Sequence, residues 1–173
     1  MEPLVQLAEV AARREDLDPA LVCAICEAES NWDPFAIRCE SEAGFAARYG
    51  ANYARIIRAS ASQVDDKWFQ FEDLFYTSYG LMQTLYCVIV ETFPGYADRL
   101  KYPTYLCDPE VGLAFGCKLF RSKLDRAVGD TQRALLYWNG GGDPAYPDKV
   151  LSKVANYAAN FSDRGVGVGG GDR

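Results

Sequence analysis

The chain has 173 residues, 49% of them hydrophobic and 24% charged, with a formal charge of −6 and no histidine. That length and mix suit one folded domain with a sizeable core and exclude wholesale disorder. Without a basic run, a nucleic-acid partner is disfavoured. Without His, the commonest metal ligand and the usual base of Ser or Cys nucleophiles are missing, so acid–base chemistry must fall to carboxylates, Tyr or Lys.

The first predicted helix covers Pro3–Arg14, with Leu4, Leu7, Val10 and Ala11 on one side. The second opens at Asp18-Pro19, a side-chain acceptor at the N-cap followed by proline in the first turn, where its missing N–H costs nothing. It closes at Asn31-Trp32-Asp33-Pro34, since Pro34 pushes Asp33 out of the helical region. Counting back from Glu29, Ile25, Val22 and Leu21 lie four, seven and eight residues earlier, which puts Glu29 on the apolar face near the helix C-terminus. Burial and the negative end of the helix dipole both raise a carboxyl pKa there, and a carboxylic acid kept protonated near neutral pH can serve as a general acid. The competing reading of that helix alone is a Glu at the rim of the core.

Beyond Pro34, short helices are expected over Glu42–Tyr49 and Asn52–Ser60, then a loop at Ala59–Gln63. Trp68, Phe69, Phe71 and Phe75 form an aromatic cluster that reads as a local core. Ser78–Phe93 reads as one long apolar helix stopped by Pro94-Gly95. Asp108-Pro109 repeats the start signal for a helix carrying Leu113, Cys117, Phe120 and Leu124. Asp130–Trp138 is the next helix, ending at Asn139 and three glycines. Pro147–Ala159 is the last, with Val150, Leu151, Val154 and Ala158 inward. Strand alternation is never sustained, so the fold class is all-α, or mainly α. The expected layout is a catalytic domain over 1–163 and a flexible Gly-rich tail over 164–173.

The six cysteines show no paired zinc-ligand spacing, and Cys23-x-x-Cys26 falls mid-helix. They read as buried thiols, with one or two bridges in an oxidising compartment. Neither a metal nor a cofactor is implied. The N-terminus shows no signal peptide, and no apolar run reaches membrane-spanning length.

Three short motifs occur in order on helix ends: Glu29-Ser30, then Gly80-Leu81-Met82-Gln83, expected to open a helix, then Trp138-Asn139-Gly140-Gly141 with Tyr146 shortly after. In that order the chain resembles the soluble lytic transglycosylase domain, a relative of goose-type lysozyme with a lysozyme-like fold. The resemblance covers roughly Leu17 to Val154, and Gly-Leu-Met-Gln is its most specific part. Thr77-Ser78-Tyr79 looks like a phage-associated branch. The resemblance implies cleavage of the β-1,4 bond between N-acetylmuramic acid and N-acetylglucosamine in peptidoglycan, with Glu29 as general acid and then base and a 1,6-anhydro end on the product. One carboxyl suffices for that, unlike in two-carboxylate glycosidases. It further implies that Ser30, Met82, Gln83, Asn139 and Tyr146 shape or contact the sugar cleft.

Three departures stand out. The family has Tyr where this chain has Trp138. Adjacent Tyr137 is turned about 100° away on a helix, and Trp138 is not expected to donate to the acid as a phenol would. Arg38 stands where the family has a serine, for which Ser78 is a candidate substitute. The segment between the first two motifs is long, which suggests an inserted helical subdomain over about 38–77. The −6 charge offers no attraction to an anionic wall polymer, so recognition is expected to rest on stacking and hydrogen bonds. Two alternatives remain: a goose-lysozyme-like hydrolase, favoured by a second carboxylate such as Glu40, Glu42 or Glu72, and an inactive glycan-binding or virion structural protein. The expected partner is the glycan strand, the expected state a monomer, and the expected setting the cell wall, reached as a phage or prophage lysin.

Overall fold

The helix starts are written in aspartates, and each bonds as its chemistry requires. Asp18 accepts from the Ala20 N–H at 2.9 Å, Asp108 from Glu110 and Val111 at 3.0 and 3.1 Å, and Asp130 from Arg133 at 3.0 Å. The computed structural model describes residues 2–39, 42–52, 72–93, 95 and 102–162. In chain order these form α1 (Glu2–Arg14), α2 (Pro19–Ser30), β1 (Ile37–Cys39), α3 (Glu42–Tyr49), α4 (Glu72–Phe75), β2 (Thr77–Tyr79), β3 (Thr84–Leu85), α5 (Tyr86–Thr92), a 3-10 helix (Pro103–Cys107), α6 (Pro109–Arg126), α7 (Thr131–Trp138) and α8 (Tyr146–Ser162). The fold is mainly α and of lysozyme-like type. The tail, most of the 38–77 segment, and Trp68, Phe69 and Phe71 lie outside the described residues.

α2 is the central helix. Seven consecutive residues, Ala20–Cys26, are all buried, so it is apolar all round rather than on one stripe. α1, α6, α7 and α8 surround it in one core. A second core joins Phe45 of α3, Phe75 of α4, Tyr79, Tyr86, Ile89 and Leu106. α6 serves both, with Leu113, Cys117 and Phe120 in the first and Phe115 and Leu119 in the second. Trp138 packs against both.

Some expectations need correcting. No single helix spans Ser78–Phe93, and Gly-Leu-Met-Gln does not open one. β1, β2 and β3 form an antiparallel sheet, with Arg38 opposite Ser78 and Ser78 opposite Leu85, and Gly80–Gln83 is the hairpin turn. Gly80 has φ +73° and Gln83 φ +47°, left-handed values that no α-helix passes through. A Cβ at Gly80 would lie 2.1 Å from the Leu106 carbonyl oxygen, so only glycine fits. Strands of two or three residues leave no period to read. On α1 the inward residues are Ala8, Ala11 and Ala12, while Val10 is 48% exposed. On α8, Tyr157 is buried where Ala158 was expected. Cys23, Cys26, Cys87, Cys107 and Cys117 are buried free thiols, and Cys39 is exposed.

The end of α2 is strained and compensated. Asn31 and Trp32 both take positive φ, 51° and 65°, costly for a bulky residue. Trp32 is nevertheless buried, donating its indole N–H to Tyr157 Oη at 2.8 Å. Tyr157 donates in turn to Glu27 Oε2 at 2.6 Å, and Lys153 donates to Glu27 Oε1 at 2.6 Å. This chain of bonds clamps α8 onto α2. Tyr157→Phe removes a charge-assisted bond and leaves the buried Trp32 N–H unpaired. It should cost about 2–3 kcal/mol, read as a fall in Tm of about 5–10 °C by calorimetry.

Candidate active site

The last turn of α2 leaves the core, and Glu29 emerges from it into a cleft of about 1480 Å³. The cleft runs between the two cores. Glu29, the β1–β2–β3 residues Arg38, Ser78, Gln83 and Thr84, and the α7 terminus Tyr137–Asn139 all line it, as does Tyr146.

Glu29 is fixed from two other helices. Tyr146 Oη donates to Glu29 Oε1 at 2.6 Å, and Trp138 Nε1 donates to the same oxygen at 3.0 Å. Tyr146 is the first residue of α8, and Trp138 the last of α7. The expectation that Trp138 could not act as a phenol would is thus corrected: its indole N–H reaches the acid. The ring is held edge-on to Phe120, centroids 5.7 Å apart. Tyr137 points elsewhere, as a one-residue step demands. Its hydroxyl accepts from Arg133 Nε at 2.7 Å, and the Arg126 guanidinium stands 4.7 Å from its ring centroid.

Burial raises the Glu29 carboxyl above the usual range, and the Tyr146 hydroxyl, Arg38 guanidinium and Trp138 N–H pull it back in that order. Both donors fall on Oε1. Among the described residues Oε2 accepts no hydrogen bond, so the proton of the neutral acid belongs on Oε2. Burial and the adjacent carboxylate push the Tyr146 phenol up, so it stays a donor.

The remaining motif residues divide into two kinds. Ser30 and Met82 do not line the cleft. Ser30 Oγ donates to Leu81 O at 2.8 Å and Cys26 O at 3.0 Å, tying the end of α2 to the hairpin turn. Met82 is fully buried against α6, where a Cβ on Gly116 would come within 2.4 Å of its sulfur. Gln83 lines the cleft but spends its amide N–H groups on Ala36 O and Gly80 O, at 2.9 and 3.1 Å. Ser78 is 3% exposed on the cleft floor, and Asn139 ends α7 with its backbone N–H on Leu135 O.

Sequence reasoning missed Thr84, whose buried Oγ1 has no hydrogen-bond partner among the described residues and which lines the floor beside Ser78. It also read Arg38 only as a departure, whereas Arg38 is the cation acting on Glu29. The cleft charge needs correcting too: although the chain is acidic, Arg38, Lys123, Arg126, Lys149 and Lys153 face Glu29, Glu91 and Asp143. Glu40 and the side chains of Glu42 and Glu72 lie outside the described residues.

A family comparison matches residues 6–152 to the transglycosylase SLT domain. The chain belongs to that family. Comparison with curated proteins and with solved structures gave no match. The SLT domain carries a peptidoglycan-cleaving function of the lytic-transglycosylase type, and its substrate is the cell wall. Among the described residues, no helix is long and apolar enough to cross a membrane.

Two outcomes follow from the Glu29 geometry. Tyr146→Phe and Trp138→Phe each remove a bond that favours the carboxylate, so the Glu29 pKa should rise in both, more in the first. Titration of the labelled carboxyl carbon by NMR reads this. Because the folded pKa lies above the unfolded one, the stabilising contribution of Glu29 is present below about pH 4 and lost as pH rises through the folded value. Glu29→Gln should therefore raise Tm at pH 7, with the gain vanishing near pH 3 in paired thermal melts.

Proposed function

We propose that this SLT domain is a lytic transglycosylase in which Glu29 alone serves as general acid and then general base. The observation that carries the reading is the Glu29 carboxyl itself. Burial raises it above the usual carboxyl range, Tyr146 and Trp138 hold it through Oε1, it lines the cleft, and among the described residues Oε2 accepts no hydrogen bond.

In this reading the Oε2 proton passes to the glycosidic oxygen as the C1–O bond breaks. The sugar oxocarbenium character develops beside a carboxylate that is now charged, with the Arg38 guanidinium moderating that charge. The carboxylate then takes the proton of the muramoyl C6 hydroxyl as O6 bonds to C1. The proton count closes: Glu29 ends protonated, no water is consumed, and the product carries a 1,6-anhydro ring. Tyr146 and Trp138 keep one oxygen occupied in both protonation states, so the same oxygen gives and receives. Ser78, Thr84, Gln83, Tyr137 and Asn139 form the walls against which the sugars lie, while Ser30 and Met82 act by holding the hairpin turn against α2. Asp143 is a poor base for a hydrolytic alternative, because Lys149 first, and then the Ala145 N–H, hold its carboxyl below the usual range.

Mass spectrometry of soluble products from purified peptidoglycan tests the reading. The unsubstituted chain should release 1,6-anhydro-muropeptides, and Glu29→Gln should fall by a factor of 10³ or more, roughly the scale of losing an essential acid–base group. Reducing-end products would make the protein a hydrolase. No products from either protein would make it a glycan-binding module.

A further inference from the structure

The wall of the cleft away from Glu29 is charged in a way that the acid–base reading leaves unused. Leu119, Lys123 and Arg126 of α6 fall at i, i+4 and i+7, so they form one face, and all three line the cleft. Val88, Glu91 and Thr92 of α5 line it as well. Phe120 supports Trp138, and Trp138 bonds Glu29. Lys123 and Arg126 therefore lie about 4.5 and 9 Å further along the α6 axis than the residue under the acid's partner, from the 1.5 Å rise per residue.

Two cations on one helix face repel each other, and Lys123 is also partly buried. Burial first, then Arg126, act against its charged form, and Glu91 acts for it. Most other exposed or half-exposed cations around this core have paired: Lys118 with Glu15, Lys149 with Asp143, Lys153 with Glu27, and Arg121 with Asp125. Among the described residues neither Lys123 nor Arg126 has a carboxylate within 4 Å. Arg126 is instead laid over the Tyr137 ring, 4.7 Å from its centroid. A guanidinium held over a ring keeps N–H donors for a further partner, and a carboxylate is the partner it bonds best. Arg133 holds Tyr137 from the other end through its hydroxyl. The platform is thus built rather than a chance surface charge.

We propose that Lys123 and Arg126 form an anion subsite, with Arg126 oriented by Tyr137, that binds a carboxylate of the stem peptide carried by the glycan. This rests on the peptidoglycan-cleaving reading. In that polymer the sugar rings are neutral and the negative charge stands on the peptide, so a cationic pair set off along the cleft from the acid meets the substituent rather than the scissile bond. Recognition of this kind makes the domain prefer stem-bearing strands over bare glycan.

Calorimetric titration of the full chain, in a Glu29→Gln background that prevents turnover, tests the subsite with two probes: soluble glycan strands bearing tripeptide stems, and the same strands stripped by an amidase with the lactyl carboxylates it exposes then converted to neutral amides. The stem-bearing strands should bind about tenfold more tightly, and that preference should shrink between low salt and 0.5 M salt as the ion pairs are screened. Lys123→Gln with Arg126→Gln should abolish the preference while leaving affinity for the stripped strands unchanged. Equal affinity of the parent for both probes overturns the proposal. So does an equal loss on both probes in the double variant. If the double variant does not fold, the salt dependence of the parent's preference decides alone. Digestion of the same two probes by the unsubstituted chain separates the two readings: discrimination in binding without any 1,6-anhydro product would sink the transglycosylase reading and leave the subsite standing, and 1,6-anhydro product released from both probes at equal rates would do the reverse.

Discussion

One carboxylate oxygen joins three helix ends. Oε1 of Glu29, in the last turn of α2, accepts from the last residue of α7 and the first residue of α8. A buried carboxylate is costly in either state unless its lone pairs find donors, and here one oxygen takes both while the other accepts none among the described residues. That arrangement sets where α7 must stop and where α8 must begin. The glycines after Trp138 serve this: Gly140 and Gly141 adopt φ of 68° and 77°, letting the chain leave α7 at once and return to start α8 at Tyr146.

The placement of Glu29 depends on what lies beneath it. α2 is buried all round through Ala20–Cys26, and four of those seven residues are Ala or Cys, so neighbouring helices approach its backbone closely. The helix then ends abruptly in two left-handed residues, and Trp32 is held in that conformation by burial and by its bond to Tyr157. Glu27 and Glu29, two residues apart, meet different groups of α8: Glu27 takes Lys153 and Tyr157, Glu29 takes Tyr146. One is a charged clamp with its pKa depressed, Lys153 first among the causes, and the other a carboxyl with its pKa raised by burial. Two carboxylates within one turn of α2 thus take opposite roles through environment alone.

What was legible in the sequence was local. Asp18, Asp108 and Asp130 are caps whose partners lie two or three residues away, so the helix starts could be read without knowing the fold. The position of Glu29 followed from 3.6-residue periodicity, which carries information along one helix only. The hairpin was not legible, because its strands are two and three residues long and its turn depends on a carbonyl more than twenty residues away, Leu106 O against Gly80. Nor was the use of Trp138: residue type suggested a lost phenol, while the outcome depended on how Phe120 seats the indole. The charge of the cleft was invisible for the same reason. A net charge of −6 is a sum over the chain, and the cleft draws its cations from β1, α6 and α8.

Ser30 and Met82 show why a motif can be specific without every letter touching a ligand. Ser30 ties the end of α2 to Leu81, and Met82 fills the space that Gly116 leaves on α6. Gln83 bonds back to Ala36, two residues before Arg38. The three together fix the hairpin turn against α2 and α6 and bring Arg38 and Ser78 to face each other across the sheet. A larger residue at 116 would move Met82, and with it the turn, β2 and the Arg38 charge that acts on Glu29. The acid is therefore tuned through backbone placement by residues that do not line the cleft.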